Sequence, residues 1–301
     1  AAMKQADQWW YVARNLFVDR RAYPLFSILF GFGMAIMASR TIERERRYAL
    51  DALPADLSAD WQPIQWQIFN ENAERRARAS ASALIRRRGL WMLVFGAVHG
   101  LFFAGDIIGT YGLVAVLFAE VVVVKRVWPR VLVGLLFAAL SLLGLWSMGM
   151  MLGGTPMVLE YRGPSTLTVF YPLVSLGSWL GATIGTVLMS LVVPCVMIGV
   201  GVARWGVLQD PRGHRLILAC VAAGGLGLGV LGGLPFVLMQ LDWAFEGSAV
   251  WSYPLFHASG VLGACGWLAL LALVGGGPRE KLGTVCSFLS AIGRRSMTAY
   301  L

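Results

Sequence analysis

The sequence contains few charged residues. Only 14% of its 301 residues are Asp, Glu, Lys or Arg, whereas 57% are hydrophobic, and its mean hydropathy is +0.67. Soluble domains average about 25% charged residues, so this composition excludes an ordinary soluble protein. Repeated apolar runs long enough to cross a bilayer indicate instead a polytopic protein surrounded by membrane lipids.

Metal-binding and redox motifs are also missing. The three histidines and four cysteines form no His-x-x-x-His, Glu-x-x-His or Cys-x-x-Cys pattern, so no metal cofactor is predicted. The cysteines lie mostly in apolar runs and are interpreted as small packing residues. The net charge of +9 comes largely from short basic loops, which set membrane topology. Nucleic acid is therefore not a predicted partner.

The length of the apolar runs predicts an all-α fold, a polytopic membrane helical bundle that forms a single transmembrane domain over residues 1–301. About seven complete spans are expected, followed by a truncated eighth that begins near Ser296 and is cut off at Leu301. The seven predicted spans are residues 22–39, 89–104, 107–124, 130–152, 173–203, 215–241 and 253–275.

The loop formed by residues 40–88 sets the predicted orientation. It contains ten Lys or Arg residues, and an excess of basic residues marks the cytoplasmic side of a membrane protein. Good helix formers stand on both sides of its two prolines. The loop is therefore predicted to be a cytoplasmic helical hairpin.

Residues 1–21 are predicted to form an outer interfacial amphipathic segment. Their start is polar and rich in tryptophan, without the basic tip and apolar core of a cleavable signal peptide. Trp9 and Trp10 are typical of a helix that lies on the membrane surface. Arg20 and Arg21 are expected to meet lipid phosphate, and the alternative is that they help bind an anionic substrate.

One histidine stands inside a membrane-length apolar run. His99 follows Gly89 by ten residues, about 15 Å along a helix, which places it near the middle of a hydrocarbon layer roughly 30 Å thick. An ionisable residue at that depth is a candidate for function. Asp106 lies seven residues further on, on the same face if the helix continues.

Two interpretations of His99 and Asp106 remain open. A carboxylate beside an imidazole can orient it and raise its basicity, so the pair could act as a general base or a nucleophile in one cavity. Alternatively, His99 hydrogen-bonds a neighbouring helix and Asp106 caps the span that begins at Ile107.

Tyr111 and the arginine cluster before Gly89 are further candidates. Tyr111 could donate a hydrogen bond to a developing oxyanion, or it could belong to the aromatic belt at the membrane surface. Arg87 and Arg88 could hold the phosphates of a nucleotide or of coenzyme A, or they could anchor the span at its cytoplasmic end.

Several motifs in this order resemble the YeiB-type family of bacterial inner-membrane proteins. They are Leu25-Phe26-Ser27-Ile28-Leu29-Phe30-Gly31-Phe32-Gly33, Gly96-Ala97-Val98-His99-Gly100-Leu101, Gly105-Asp106-Ile107-Ile108 with Tyr111-Gly112-Leu113, and Ile292-Gly293-Arg294-Arg295-Ser296-Met297-Thr298-Ala299-Tyr300-Leu301. That family is similar to the transmembrane acyltransferases, which include the lysosomal heparan-glucosaminide N-acetyltransferase and bacterial sugar O-acyltransferases.

The resemblance implies an activity and a location. It implies acyl transfer from cytoplasmic acyl-coenzyme A to an extracytoplasmic sugar or lipid acceptor, in the bacterial inner membrane, with His99 in the place of the catalytic histidine. Family members usually begin with an additional span bearing an Arg-Gly motif and continue with further spans. Ala299 stands where they often have Asn. The chain is therefore expected to lack family spans before residue 1 and after residue 301.

Two other functions remain as alternatives. His99 and Asp106 could form a proton relay in a proton-coupled transporter or lipid-handling protein, a common use of intramembrane ionisable pairs. The chain could also be a non-catalytic subunit of an envelope complex, with a homo-oligomeric or envelope partner.

Overall fold

The computed structural model describes residues 5–54, 61–103, 105–152, 171–276, 283, 287–288 and 290–291. Within these ranges the chain is helical and contains no strand, which confirms the predicted all-α class. The helices are α1 (Gln5–Phe17), α2 (Ala22–Asp51), α3 (Pro63–Gly100), α4 (Ile108–Val123), α5 (Trp128–Leu152), α6 (Tyr171–Met189), α7 (Val192–Trp205), α8 (Arg215–Gln240) and α9 (Ala249–Gly275).

Five helical segments of the described chain are long and apolar enough to cross a membrane. They are Gln5–Asp51, Trp128–Met151, Tyr171–Met189, Arg215–Gln240 and Ala249–Gly275. The apolar helices α4 and α7 are shorter. The apolar part of α3 is shorter than the predicted span 89–104, because the helix ends at Gly100. The predicted eighth span lies outside the described residues.

The predicted span 173–203 is wrong in one respect, because it is divided into two helices. Helix α6 ends at Met189 and α7 begins at Val192. Pro194 has no N–H group to donate to the Ser190 carbonyl four residues earlier. The Ser141 hydroxyl of α5 lies 2.7 Å from that carbonyl oxygen. A side chain of a neighbouring helix therefore satisfies the carbonyl that proline leaves open.

The helical hairpin consists of extensions of two bundle helices. Helix α2 continues from its apolar part to Asp51, and α3 runs from Pro63 to Gly100 and packs against α2. The start of α3 has a capping box, in which Gln62 N donates to Gln65 Oε1 over 2.7 Å. The helix that carries His99 is therefore one rod of 38 residues, about 57 Å long.

Arg21 is buried, so the expectation that it meets lipid phosphate at the membrane surface is wrong. The alternative, an anionic substrate, stays a prediction. The Arg21 side chain is only 3% exposed. The guanidinium donates to the carbonyl oxygens of Asp19 at 2.8 Å and of Gly229 at 2.6 Å. A buried cation needs such acceptors, and these bonds tie the chain after α1 to α8.

Candidate functional site

The structure brings His99 and Asp106 into direct contact. His99 Nδ1 lies 2.9 Å from Asp106 Oδ1. The two residues do not share one helical face, because the helix does not continue to Asp106: α3 ends at Gly100 and the chain turns back before α4 begins at Ile108. Side chains seven residues apart on one helix are separated by about 10 Å along its axis. The turn brings together two groups that a continuous helix would hold apart.

Asp106 is buried and accepts hydrogen bonds from four groups. Its side chain has no solvent exposure. Besides His99, the donors are Ile108 N at 3.2 Å, Gly109 N at 2.9 Å and Trp179 Nε1 at 2.9 Å. The two backbone donors are the open N–H groups at the start of α4. Asp106 therefore caps α4, as one interpretation predicted, and contacts His99 at the same time.

One tautomer of His99 fits these contacts when Asp106 is a carboxylate. An ionised carboxylate can only accept hydrogen bonds, so the Nδ1–H of His99 donates to Asp106. The lone pair of the imidazole is then on Nε2. The His99 side chain is 24% exposed, and its ring lies 5.4 Å from the ring of Phe103. An oriented, partly accessible imidazole of this kind can accept a proton or attack an electrophile.

Helix α6 completes the site with three side chains spaced four residues apart. Tyr171 OH donates to Leu101 O and Ser175 Oγ donates to Gly100 O, both over 2.9 Å, and Trp179 donates to Asp106. The two carbonyls belong to the end of α3, where helical partners are missing.

None of these three residues is among the candidates predicted from the sequence. Their spacing was the available signal, because it places three polar-tipped side chains on one face of an apolar helix.

Glycines allow the backbones to approach each other at the site. A Cβ atom added to Gly96 would lie 2.5 Å from Gly109 N and 2.9 Å from Asp106 Oδ2. One added to Gly109 would lie 2.5 Å from Trp179 Cζ2. Any larger residue would therefore displace the α4 N-terminus or the indole from the carboxylate.

The three arginines before Gly89 occupy different environments. Arg86 forms an ion pair with Glu120 at 3.0 Å. Arg87 and Arg88 are exposed. Arg88 also lines a cavity of about 360 Å³ between α2 and α3, whose other walls include Phe30 and Met92. Arg88 lies on the same side of α3 as His99, eleven residues or about 16 Å before it.

Tyr111 lies in the core of the bundle and is only 7% exposed. Its hydroxyl is 3.2 Å from Ser27 Oγ, and its ring lies 4.9 Å from that of Phe30. It therefore has no exposed ring that could belong to an aromatic belt.

The described residues include no group of three or more His, Cys, Asp or Glu side chains that could hold a metal ion. Cys286 and the motif 292–301 lie outside the described residues.

The family described as "Protein of unknown function (DUF418)" matches residues 202–301. The match covers the end of α7, all of α8 and α9, and the chain beyond them. No curated protein and no solved structure matches the chain. The matched segment does not include His99, Asp106 or Trp179.

Proposed function

We propose that this protein is a membrane-bound acyltransferase of the bacterial inner membrane. It moves an acyl group from acyl-coenzyme A, on the side of the 40–88 hairpin, to a sugar or lipid acceptor on the opposite side. The observation that carries the proposal is the contact between His99 and the buried, four-fold hydrogen-bonded Asp106. The resemblance to the YeiB-type family and the transmembrane acyltransferases supports the same chemistry.

In the proposed reaction, His99 acts as the general base. Its Nε2 accepts the proton of an acceptor hydroxyl while the hydroxyl oxygen attacks the carbonyl carbon of the thioester. The carbon–sulfur bond breaks, and the coenzyme A thiolate leaves and takes up the proton from His99. Asp106 stabilises the transient imidazolium through the Nδ1–H bond. In this proposal the Tyr111 hydroxyl, which lies 3.2 Å from Ser27 Oγ in the core, leaves Ser27 to donate a hydrogen bond at the acceptor end of the site.

The donor is proposed to enter along α3. Arg87 and Arg88 are exposed cations that can form charge-assisted hydrogen bonds with phosphates. The apolar cavity beside Arg88 suits the uncharged arm that links the phosphates to the thioester.

Calorimetry on the purified full-length protein tests the donor site. We expect acyl-coenzyme A to bind the wild type, and the Arg87→Ala/Arg88→Ala variant to bind it at least tenfold more weakly. Arg215→Ala is the control, because Arg215 is an exposed arginine at the start of α8. The His99→Ala variant should keep its affinity and lose acyl transfer by about 10²- to 10⁴-fold. Unchanged transfer by a folded His99→Ala protein would falsify the proposal.

Proton-coupled transport remains a second candidate because of the interrupted α6–α7 segment. Transporters often place their sites beside broken membrane helices, and α6 carries Trp179 at the candidate site. Proteoliposomes with an imposed pH gradient distinguish the two functions. Proton uptake that depends on His99 without any acyl-coenzyme A would support transport.

A further inference from the structure

A second cavity lies between α5 and α7, at the end of the bundle away from His99. It has a volume of about 570 Å³. Its walls are apolar and include Leu135 and Ala138 of α5 with Met197 and Gly201 of α7. Leu135 is 66% exposed, so the cavity is an open groove that continues onto the outer apolar surface of α5.

Cationic and aromatic side chains line one end of this groove. They are Lys125, Arg130, Arg204 and Trp205. Arg130 is buried, with 5% exposure, and its Nη1 donates to Val124 O over 2.8 Å. Arg204 Nη2 donates to Val122 O over 2.6 Å. The two arginines are therefore held in place by the carbonyls at the C-terminal end of α4.

The charge at this end of the groove is not balanced. The C-terminus of a helix such as α4 carries about half of one negative charge. The guanidinium groups of Arg130 and Arg204 carry two positive charges. Across the described residues, neither arginine has an ion pair with a carboxylate, and the nearby Glu74 is engaged by Arg78 and Lys125. The groove thus combines a fixed positive end with a long apolar wall.

We propose that this groove binds one anionic phospholipid of the surrounding membrane leaflet. The lipid phosphate lies against Arg130 and Arg204, and one acyl chain lies between α5 and α7. The exposed indoles of Trp128 and Trp205, at 60% and 78%, suit the level of the lipid headgroups. The lateral opening of the groove favours a lipid, because a membrane lipid can enter from the side. This inference is independent of acyl transfer.

The groove can be filled without disturbing the backbone. A Cβ atom added to Gly201 would meet nothing within 4 Å, so Gly201→Leu should place its side chain in the space of the acyl chain. Gly227 of α8 is equally open, and Gly227→Leu is the matched control away from the groove. Arg204→Gln removes one charge, and Arg215→Gln is its control.

Lipid titration of the purified full chain in neutral detergent, followed by native mass spectrometry, tests the proposal. We expect phosphatidylglycerol to bind at least tenfold more tightly than phosphatidylcholine with the same chains. Gly201→Leu and Arg204→Gln should each weaken phosphatidylglycerol binding about tenfold. The two control variants should bind like the wild type.

Three outcomes overturn the proposal. One is equal affinity for the two lipids, and another is unchanged phosphatidylglycerol binding by Gly201→Leu. The third is displacement of bound phosphatidylglycerol by acyl-coenzyme A at a concentration below the one at which phosphatidylglycerol itself binds. That result would make the groove a donor site. If Arg204→Gln does not fold, Gly201→Leu decides the question, because it leaves every arginine in place.

Discussion

At the scale of single residues, the candidate site depends on the hydrogen bonds that hold Asp106. A buried carboxylate is costly unless donors satisfy its oxygens. Here one donor is the histidine it orients, two are backbone groups of α4, and one is the indole of Trp179. Loss of any one donor leaves a carboxylate oxygen of Asp106 with one hydrogen bond fewer. It also makes the position of Asp106, and so the orientation of the His99 ring, less fixed.

The first prediction concerns Trp179. Trp179→Phe keeps an aromatic ring in the slot beside Gly100 and Gly109 but removes the N–H donor. A hydrogen bond to a charged group contributes about 1.5–3 kcal/mol, so we expect the free energy of unfolding to fall by that amount. Thermal unfolding in detergent measures it.

Trp146→Phe is the control for this change, because Trp146 is 55% exposed on α5. Equal stability of the two variants would contradict the role assigned to the indole. The pH profile of any acyl transfer should also shift in Trp179→Phe and not in Trp146→Phe, because only Trp179 contacts the carboxylate that orients His99.

The candidate residues differ in how far the sequence could identify them. His99 stands out because an ionisable residue in an apolar run needs a partner, and Asp106 is the nearest carboxylate along the chain. Trp179 could not be assigned to this pair, because its bond to Asp106 joins residues 73 positions apart. No local pattern carries information about such a contact.

At the scale of secondary-structure elements, the crossing of α3 and α4 positions the site. The two helices approach closely where Gly96 faces Gly109, and small residues are what allow membrane helices to do so. The crossing fixes the turn between the two helices. The turn places the Asp106 carboxylate in hydrogen-bond contact with His99 Nδ1.

The second prediction tests this crossing with Gly96→Ala. The added methyl group would lie 2.5 Å from Gly109 N, so the helices must separate. We expect a loss of stability of about 1–3 kcal/mol, measured by thermal unfolding in detergent, together with weaker function at His99. Gly185→Ala in α6 is the control, because a methyl group added there would meet nothing within 4 Å. Unchanged stability of Gly96→Ala would show that the crossing tolerates a larger spacing.

The third prediction concerns the hairpin extension of α3. Glu74 forms an ion pair with Lys125 of the α4–α5 connection, and the hydrogen bond from Lys125 lowers the pKa of Glu74 below its ordinary value. A carboxyl group with a lowered pKa stabilises the folded state above its ordinary pKa of 4.5. That stabilisation is lost as the pH falls through the lower, folded-state pKa.

Glu74→Gln should therefore reduce the free energy of unfolding by about 0.5–1 kcal/mol at pH 7. The difference from the wild type should shrink as the pH falls below 4.5. Glu43→Gln is the control, because the Glu43–Arg47 pair is exposed within one helix. A difference that persists unchanged in acid would contradict the ion-pair explanation.

At the scale of the whole molecule, the distribution of charge and apolar helices predicts how the bundle crosses the membrane. The 40–88 hairpin carries ten basic residues, and the connection between α8 and α9 contains Asp242 and Glu246. Helices α6 and α7 run in the same direction, because Tyr171 contacts the end of α3 and Arg204 contacts the end of α4. They are therefore predicted to form one interrupted crossing.

The fourth prediction follows from this arrangement. A reporter inserted after Leu53 should be cytoplasmic, and one inserted at Gly247 should lie on the opposite side, because five predicted crossings separate them, namely α3, α4, α5, α6 with α7, and α8. Reporter activity or cysteine labelling in intact cells measures both. The same side for both positions would contradict the predicted topology.

The sequence by itself determined that this chain is helical, apolar and suited to a membrane, because hydropathy and run length are local properties. It also singled out His99, Asp106 and the basic hairpin. Only the tertiary structure decided that Asp106 contacts His99 from a turn, that Trp179 holds the carboxylate, and that Pro194 divides one span into two helices supported by Ser141. The last two outcomes depend on hydrogen bonds between helices far apart in the chain, where a buried polar group must find a partner that its own segment does not supply.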